Sequence, residues 1–166
     1  PDEVRRARNG GAHGVRSGGD RRVSGTEHYR KLERMFAGTP CNQGLDIDID
    51  VEEGAAELRL TAEESMHHPA GGVHGSYYFK LLDDAAFFAA NSLVEDVFLL
   101  TTDFHLYLER PVSSGVLTAT GAVVNDNPRQ TIAEAVCHDE EGNELARGSG
   151  TFARSSVELG PEIGYD

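Results

Sequence analysis

A helix from His74 to about Ser92 that is apolar on most of its surface constrains this chain more than any other feature. Phe79, Leu82, Ala86, Phe87 and Ala90 recur at helical spacing, with Ala85, Phe88 and Ala89 filling the positions between them. A helix with so little polar face must be wrapped by other structure. Asp83 and Asp84 sit inside it, and a buried carboxylate is costly unless it is paired or functional. Successive residues of a helix point about 100° apart, so the two are expected to face different places. Asp83 is the candidate for chemistry, and Asp84 the candidate for a cap, a salt bridge or an interface contact.

The flanking segments say what wraps the helix. Leu45-Asp46-Ile47-Asp48-Ile49-Asp50-Val51 alternates apolar and acidic residues, as a strand with one buried face does. Its aspartates lie in a line, with no glycine turn to gather them round a calcium ion. Glu53-Gly54 suits a turn, and Ala56–Thr61 a second strand. After the helix come four more candidate strands: Phe98–Leu108, Gly115–Val124, Thr131–His138 and Glu144–Ala153. Turns at Asn125–Pro128 and Glu140–Asn143 separate the later ones. Before them all, Thr26 is placed to cap a helix running to Ala37, ended by Gly38-Thr39-Pro40. The order is helix, two strands, buried helix, four strands. It implies an α+β fold, one antiparallel sheet packed round one long central helix.

Residues 1–24, rich in Gly, Arg and Ser, are expected to form a flexible tail. Residues 25–157 form a single domain, and 158–166 a second, C-terminal tail. The net charge of −13 is unevenly spread. Residues 1–36 carry nine Lys/Arg and five Asp/Glu, and the remainder is −17. An acidic domain argues against nucleic acid as a partner, because phosphates would be repelled. It also suits a high-salt habitat, where salt screens the repulsion. No apolar run approaches a membrane span and no signal-peptide core is visible, so a cytoplasmic protein without membrane contact is expected. Cys41 and Cys137 make neither a disulfide framework nor a metal spacing. His67, His68 and His74 match no zinc pattern, so no metal and no cofactor is expected.

The chemistry concentrates at the start of the central helix. The glycine loop Ala70-Gly71-Gly72-Val73 leads into His74-Gly75-Ser76, and Asp83 follows about two turns later. A helix start offers unpaired N–H groups and partial positive charge, which suit a carbonyl oxygen becoming negative. A carboxylate near such a donor can attack the carbonyl or activate water.

Several motifs in order carry a resemblance. Gly71, His74, Gly75 and Asp83 fall in register with Asn-x-x-Gly-x-x-His-Gly-Gly followed by an acid nine residues after the histidine. Thr101 through Leu108-Glu109-Arg110-Pro111 resembles a strand ending in Arg-Pro. Ala133–Val136, Asp139–Gly142 and Ala146–Phe152 resemble a terminal hairpin. Over residues 40–155 the chain thus resembles the hotdog-fold acyl-CoA thioesterases of the phenylacetate-degradation (PaaI-like) type. The resemblance implies that Gly75 N–H polarises a thioester carbonyl and that Asp83 is nucleophile or general base. It implies that Thr101 orients the water or the carboxylate, and that Gly71, Ser76 and Arg129 contribute to substrate binding. It also implies sites built between the subunits of a homodimer or homotetramer, and small or medium acyl or aryl thioesters, coenzyme A esters first, as substrates. His74 belongs to the catalytic group as an orienting residue at the helix entrance.

The chain departs from the pattern at His68, where relatives carry an amide, and at Ser76, where they carry glycine. In the loop where relatives place basic residues for coenzyme A phosphates, only Arg129 is basic. Tyr77, Tyr78, Phe79, Phe87 and Phe88 are open between core and acyl-pocket roles. Two other readings stand beside hydrolysis. One is a non-catalytic acyl-binding module, with His68 marking a degenerate site. The other is an enoyl-thioester hydratase or dehydratase using His74 with Asp83.

Overall fold

The computed structural model describes residues 18–166, with side chains from residue 25 onward. Six strands form one antiparallel sheet: β1 (Ile47–Glu52), β2 (Ala55–Thr61), β3 (Val97–Leu108), β4 (Val116–Asn127), β5 (Gln130–His138) and β6 (Glu144–Glu158). Their spatial order is β1-β2-β4-β5-β6-β3, so β1 and β3 are the edges. The central helix α2 (Gly75–Asn91) lies across β2, β4 and β5, as its apolar surface requires.

Small residues let α2 approach the sheet closely. Ala85, Ala86, Ala89 and Ala90 on the helix, and Ala119, Ala133 and Ala135 on the strands, are buried. At Gly121 the approach is closest. A Cβ built there would stand 2.2 Å from the Ala85 carbonyl oxygen and 2.7 Å from Ala86 N. Only glycine fits, because the atoms in the way are helix backbone and cannot rotate aside.

The first helix, α1 (Gly18–Gly38), buries Leu32, Met35 and Phe36. It closes the β1 edge: Val51 N donates to Glu33 Oε1 at 2.8 Å, and Arg30 Nη2 donates to Val51 O at 3.2 Å. An edge strand's unpaired backbone groups are thereby satisfied by side chains. The helix starts eight residues before the expected Thr26 cap, so residues 18–24 of the expected tail are helical. No proline interrupts this stretch, and the helix simply continues through Thr26. The remainder of that tail, residues 1–17, lies outside the described residues.

The expected tail at 158–166 also requires correction. β6 runs to Glu158, a short 3-10 turn covers Pro161–Ile163, and Leu159, Ile163 and Tyr165 pack against the core. Tyr165 and α1 are tied together by a 2.7 Å hydrogen bond between the Tyr165 hydroxyl and His28 Nδ1. Arg34 Nε donates to the Asp166 carbonyl at 2.7 Å, and the Lys31 ammonium lies 5.2 Å from the Tyr165 ring centre. Three apolar residues among glycines and a proline make no period in sequence. They pack against a core built from remote elements, and the partner of Tyr165 is a helix more than a hundred residues away. The β4–β5 turn is narrower than expected: β4 continues to Asn127, whose Oδ1 accepts from Arg129 N at 3.1 Å.

Candidate active site

The glycine loop closes on itself before it reaches α2. His68 N donates to Gly72 O, and Gly71 N to His68 O, both at 2.9 Å. Gly71 has φ +83, a left-handed conformation that favours glycine. Val73 N then donates to Val112 O at 2.8 Å and His74 N to Met66 O at 2.9 Å, so the helix entrance is fixed from both sides.

His74 is the N-cap of α2. Its backbone is extended (φ −67, ψ 142), and its Nδ1 accepts from Ser76 N at 3.1 Å and pairs with Ser76 Oγ at 2.8 Å. Tyr77 N donates to the His74 carbonyl at 3.0 Å. Of the first-turn N–H groups, that of Gly75 has no acceptor among the described residues. His68 Nδ1 accepts from Ala70 N at 3.1 Å, so in the neutral ring the proton resides on Nε2, beside Gly72.

Asp83 lies about 12 Å further along the helix axis, at 1.5 Å per residue. Thr101 Oγ1, on β3, donates to its Oδ1 at 2.9 Å. Burial pushes the Asp83 carboxyl above the ordinary carboxylate range. The Thr101 hydrogen bond pulls it down, the neighbouring Asp84 pushes it up, and Lys80 pulls it down. Asp84 is likewise raised by burial, against the opposing pull of Lys80, whose ammonium donates to Asp84 Oδ2 at 2.8 Å.

Both carboxylates open onto one cavity of about 620 Å³ between α1, α2, β3 and the C-terminal segment. Apart from this acidic corner its walls are mainly apolar, with Met35, Phe36, Phe87, Phe88, Phe98 and Leu100 among them. The expectation that Asp83 and Asp84 must face different places is therefore corrected. A hundred-degree step separates them, but the cavity wraps enough of the helix to receive both.

The predicted residues thus divide into groups. Asp83 and Thr101 are brought into contact. His68, Gly71, His74, Gly75 and Ser76 gather at the helix start, too far along α2 to reach Asp83 in the same chain. Arg129 sits in the exposed β4–β5 turn, outside the cavity. Register aligns Thr131, Phe152 and Thr101 across three strands, so this turn stands at Thr101's end of the sheet. Of the five aromatics, Phe87 and Phe88 line the cavity. Tyr78 is core, and its hydroxyl accepts from Val112 N at 3.2 Å. Phe79 packs on Phe104, with ring centres 5.6 Å apart.

Sequence reasoning missed Met35, Phe36, Cys41 and Lys80 as cavity residues. Only the Lys80–Asp84 spacing of four residues offered a signal. Among the described residues, no group of three or more His, Cys, Asp or Glu could hold a metal ion, and no helix is long and apolar enough to cross a membrane.

Residues 70–146, from the glycine loop into β6, match the family model of the thioesterase superfamily. A Saccharolobus solfataricus protein named putative esterase SSO1253 is 22% identical over 131 residues, covering 78% of this chain and 83% of its own. The solved structure of the E. coli PaaI protein from the phenylacetic acid degradation operon superposes with a TM-score of 0.74 at 22% identity, covering 81% of this chain and 97% of that one. A hypothetical thioesterase from Streptococcus pneumoniae, solved with coenzyme A, gives a TM-score of 0.62 at 19% identity over 66% of this chain and 86% of its own. The matched segment is thus similar to the thioesterase superfamily, and the fold is the hotdog fold of these solved structures.

Proposed function

We propose that this chain hydrolyses acyl thioesters, coenzyme A esters among them, at sites completed by a second copy of itself. The observation that carries the reading is Asp83. It is a carboxylate with raised proton affinity, oriented by Thr101 on the wall of a cavity large and apolar enough for an acyl or aryl group.

Two edges of one sheet support the second copy. The β1 edge is covered by Glu33 and Arg30 of α1. The β3 edge, 12 residues long, has no neighbouring strand among the described residues, and Tyr107 (61% exposed) and Leu108 (56%) stand on it. A long uncovered edge with exposed apolar residues is a template for pairing. β3 also links the two halves of the site. Thr101 contacts Asp83, and a Leu108 methyl lies 3.0 Å from where a Gly75 Cβ would be. Antiparallel pairing of two β3 edges about a twofold axis sets the Leu108 end of one copy beside the Thr101 end of the other. The Gly75 N–H of one helix then approaches the Asp83 of its partner.

In that arrangement the thioester carbonyl oxygen accepts from the Gly75 N–H, at the positive end of the helix dipole. Asp83 either removes a proton from water as the water attacks, or attacks the carbonyl itself and is released by water. In both routes the carbon–sulfur bond breaks, the thiolate takes up a proton, and the acyl group leaves as a carboxylate. His68 supplies an Nε2–H donor where relatives use an amide. Thr101 holds one Asp83 oxygen, leaving the other for the proton or the carbon.

The test is free-thiol release from a panel that includes octanoyl- and benzoyl-coenzyme A, with wild type and Asp83→Asn. Loss of at least ~100-fold in kcat in the near-isosteric variant is the expected scale for lost acid–base or nucleophilic catalysis. Full activity in Asp83→Asn would remove Asp83 from the mechanism. Tight binding without turnover in the wild type would instead assign the chain as an acyl-binding module.

A further inference from the structure

Among the described residues, Lys80 is the one cationic side chain on the wall of the Asp83 cavity. Its ammonium is 2.8 Å from Asp84 Oδ2, 3.8 Å from Cys41 Sγ and 5.7 Å from the centre of the Phe36 ring. The two charged side chains are only 20% and 21% exposed. An ion pair this enclosed is not a solvated surface contact of negligible strength, and removing one member leaves an uncompensated charge in poor solvent. That charge would lie one residue from Asp83. Asp83 itself has a neutral partner, Thr101, and among the described residues no cation in direct contact.

Resting on the reading of Asp83 as the reactive carboxylate, we propose that Lys80 is a positioning residue. By fixing and neutralising Asp84 inside the cavity, it prevents the two adjacent carboxylates from sharing a proton, so that Asp83 ionises as a single base. Without Lys80, two like charges would face one apolar space, and such pairs titrate as a coupled unit with the first ionisation held by one group and the second delayed. The directions at Asp83 agree with the geometry, Asp84 pushing its proton affinity up and Lys80 down.

The groups facing Asp83 are few. From α2 they are Lys80 and Asp84; from β3, the neutral Thr101; from the segment after α1, the Cys41 thiol. Helix α1 contributes uncharged Met35 and Phe36, β6 Val157, and the C-terminal turn Ile163. In the proposed pair, His68 and His74 of a second copy also approach. They are common to every variant compared below.

The experiment is the pH profile of kcat/KM, followed by thiol release from whichever of octanoyl- and benzoyl-coenzyme A the wild type cleaves. The acid limb reports the proton affinity of the base in the free enzyme. Lys80→Met is expected to move this limb upward by about one pH unit or more. Lys80→Arg is expected to leave it in place. Asp84→Asn, which leaves Lys80 unopposed beside Asp83, should move it downward. The double variant Lys80→Met/Asp84→Asn should return it towards the wild-type position. A purely structural pair would lower activity or melting temperature without shifts of opposite sign. If Lys80→Met fails to fold, the downward shift in Asp84→Asn is still required. Unshifted limbs in both single variants, with Asp83→Asn inactive, overturn the proposal and leave the Asp83 reading standing. Full turnover by Asp83→Asn overturns both.

Discussion

Replacing Gly121 with alanine probes how the fold sets the site. The new Cβ would lie 2.2 Å from the Ala85 carbonyl oxygen, 2.3 Å from its carbon and 2.7 Å from Ala86 N. Ordinary contact needs more than 3 Å, so α2 and β4 must separate by about 1 Å. Overpacking of this kind costs ~1–3 kcal/mol. For a chain of this length each kcal/mol moves Tm by ~2–4 °C, so a fall of ~2–12 °C is expected. The displaced segment is two residues from Asp83, and a shift of about 1 Å at a reacting group can cost ~100-fold in rate. Calorimetry and thiol release on the same preparation measure both effects. Gly38→Ala, where no atom lies within 4 Å, is the control and should leave both unchanged or raise Tm slightly. A Gly121→Ala protein with wild-type Tm and wild-type kcat would refute the idea that this glycine seats the helix and, through it, the carboxylate.

Three further outcomes follow from the site. Burial raises the Asp83 proton affinity in the folded state, so its contribution favours folding in acid and is lost as pH rises through the folded value; Asp83→Asn should therefore raise Tm at pH 7, and the gain should vanish below the ordinary carboxylate range. Gly75→Pro removes one N–H at the first helical position, where proline is well tolerated and His74 already has the extended backbone proline requires; its Cβ meets only the Leu108 methyl, at 3.0 Å, the end of an exposed side chain that can turn aside, so kcat should fall ~100-fold or more while Tm falls little. Thr101→Val keeps the volume but deletes the hydrogen bond that lowers the Asp83 proton affinity, so the acid limb of kcat/KM should rise; an unmoved limb would separate Thr101 from the carboxylate's function.

Periodicity made the centre of the molecule legible. An apolar helix and strictly alternating strands leave few packings, and the expected elements appear, with ends shifted by a few residues at the strands and by eight at the start of α1. It failed where a segment's partner is remote and its own pattern short. Leu159, Ile163 and Tyr165 look like a tail until the core they pack against is assembled. Asp83 with Thr101 was visible because a motif resemblance joined two distant strings. Asp84 forms the salt bridge that was one of its expected roles, but its direction was misjudged because a helical wheel gives angles, not the width of the cavity facing them. Lys80 lacked any signal beyond its spacing, since an exposed i,i+4 pair and an enclosed one read alike in sequence.

The distance between Gly75 and Asp83 along one helix has a genetic consequence. In the proposed pair each helix gives its beginning to one site and its middle to the other. A chain damaged at Asp83 still completes its partner's carboxylate site with an intact helix start. A hybrid pair keeps one whole site of its two, so a defective copy halves the output of the pair while its companion's carboxylate still works. Two inactive chains, one altered at Gly75 and one at Asp83, would on co-assembly rebuild a working site that neither possesses alone.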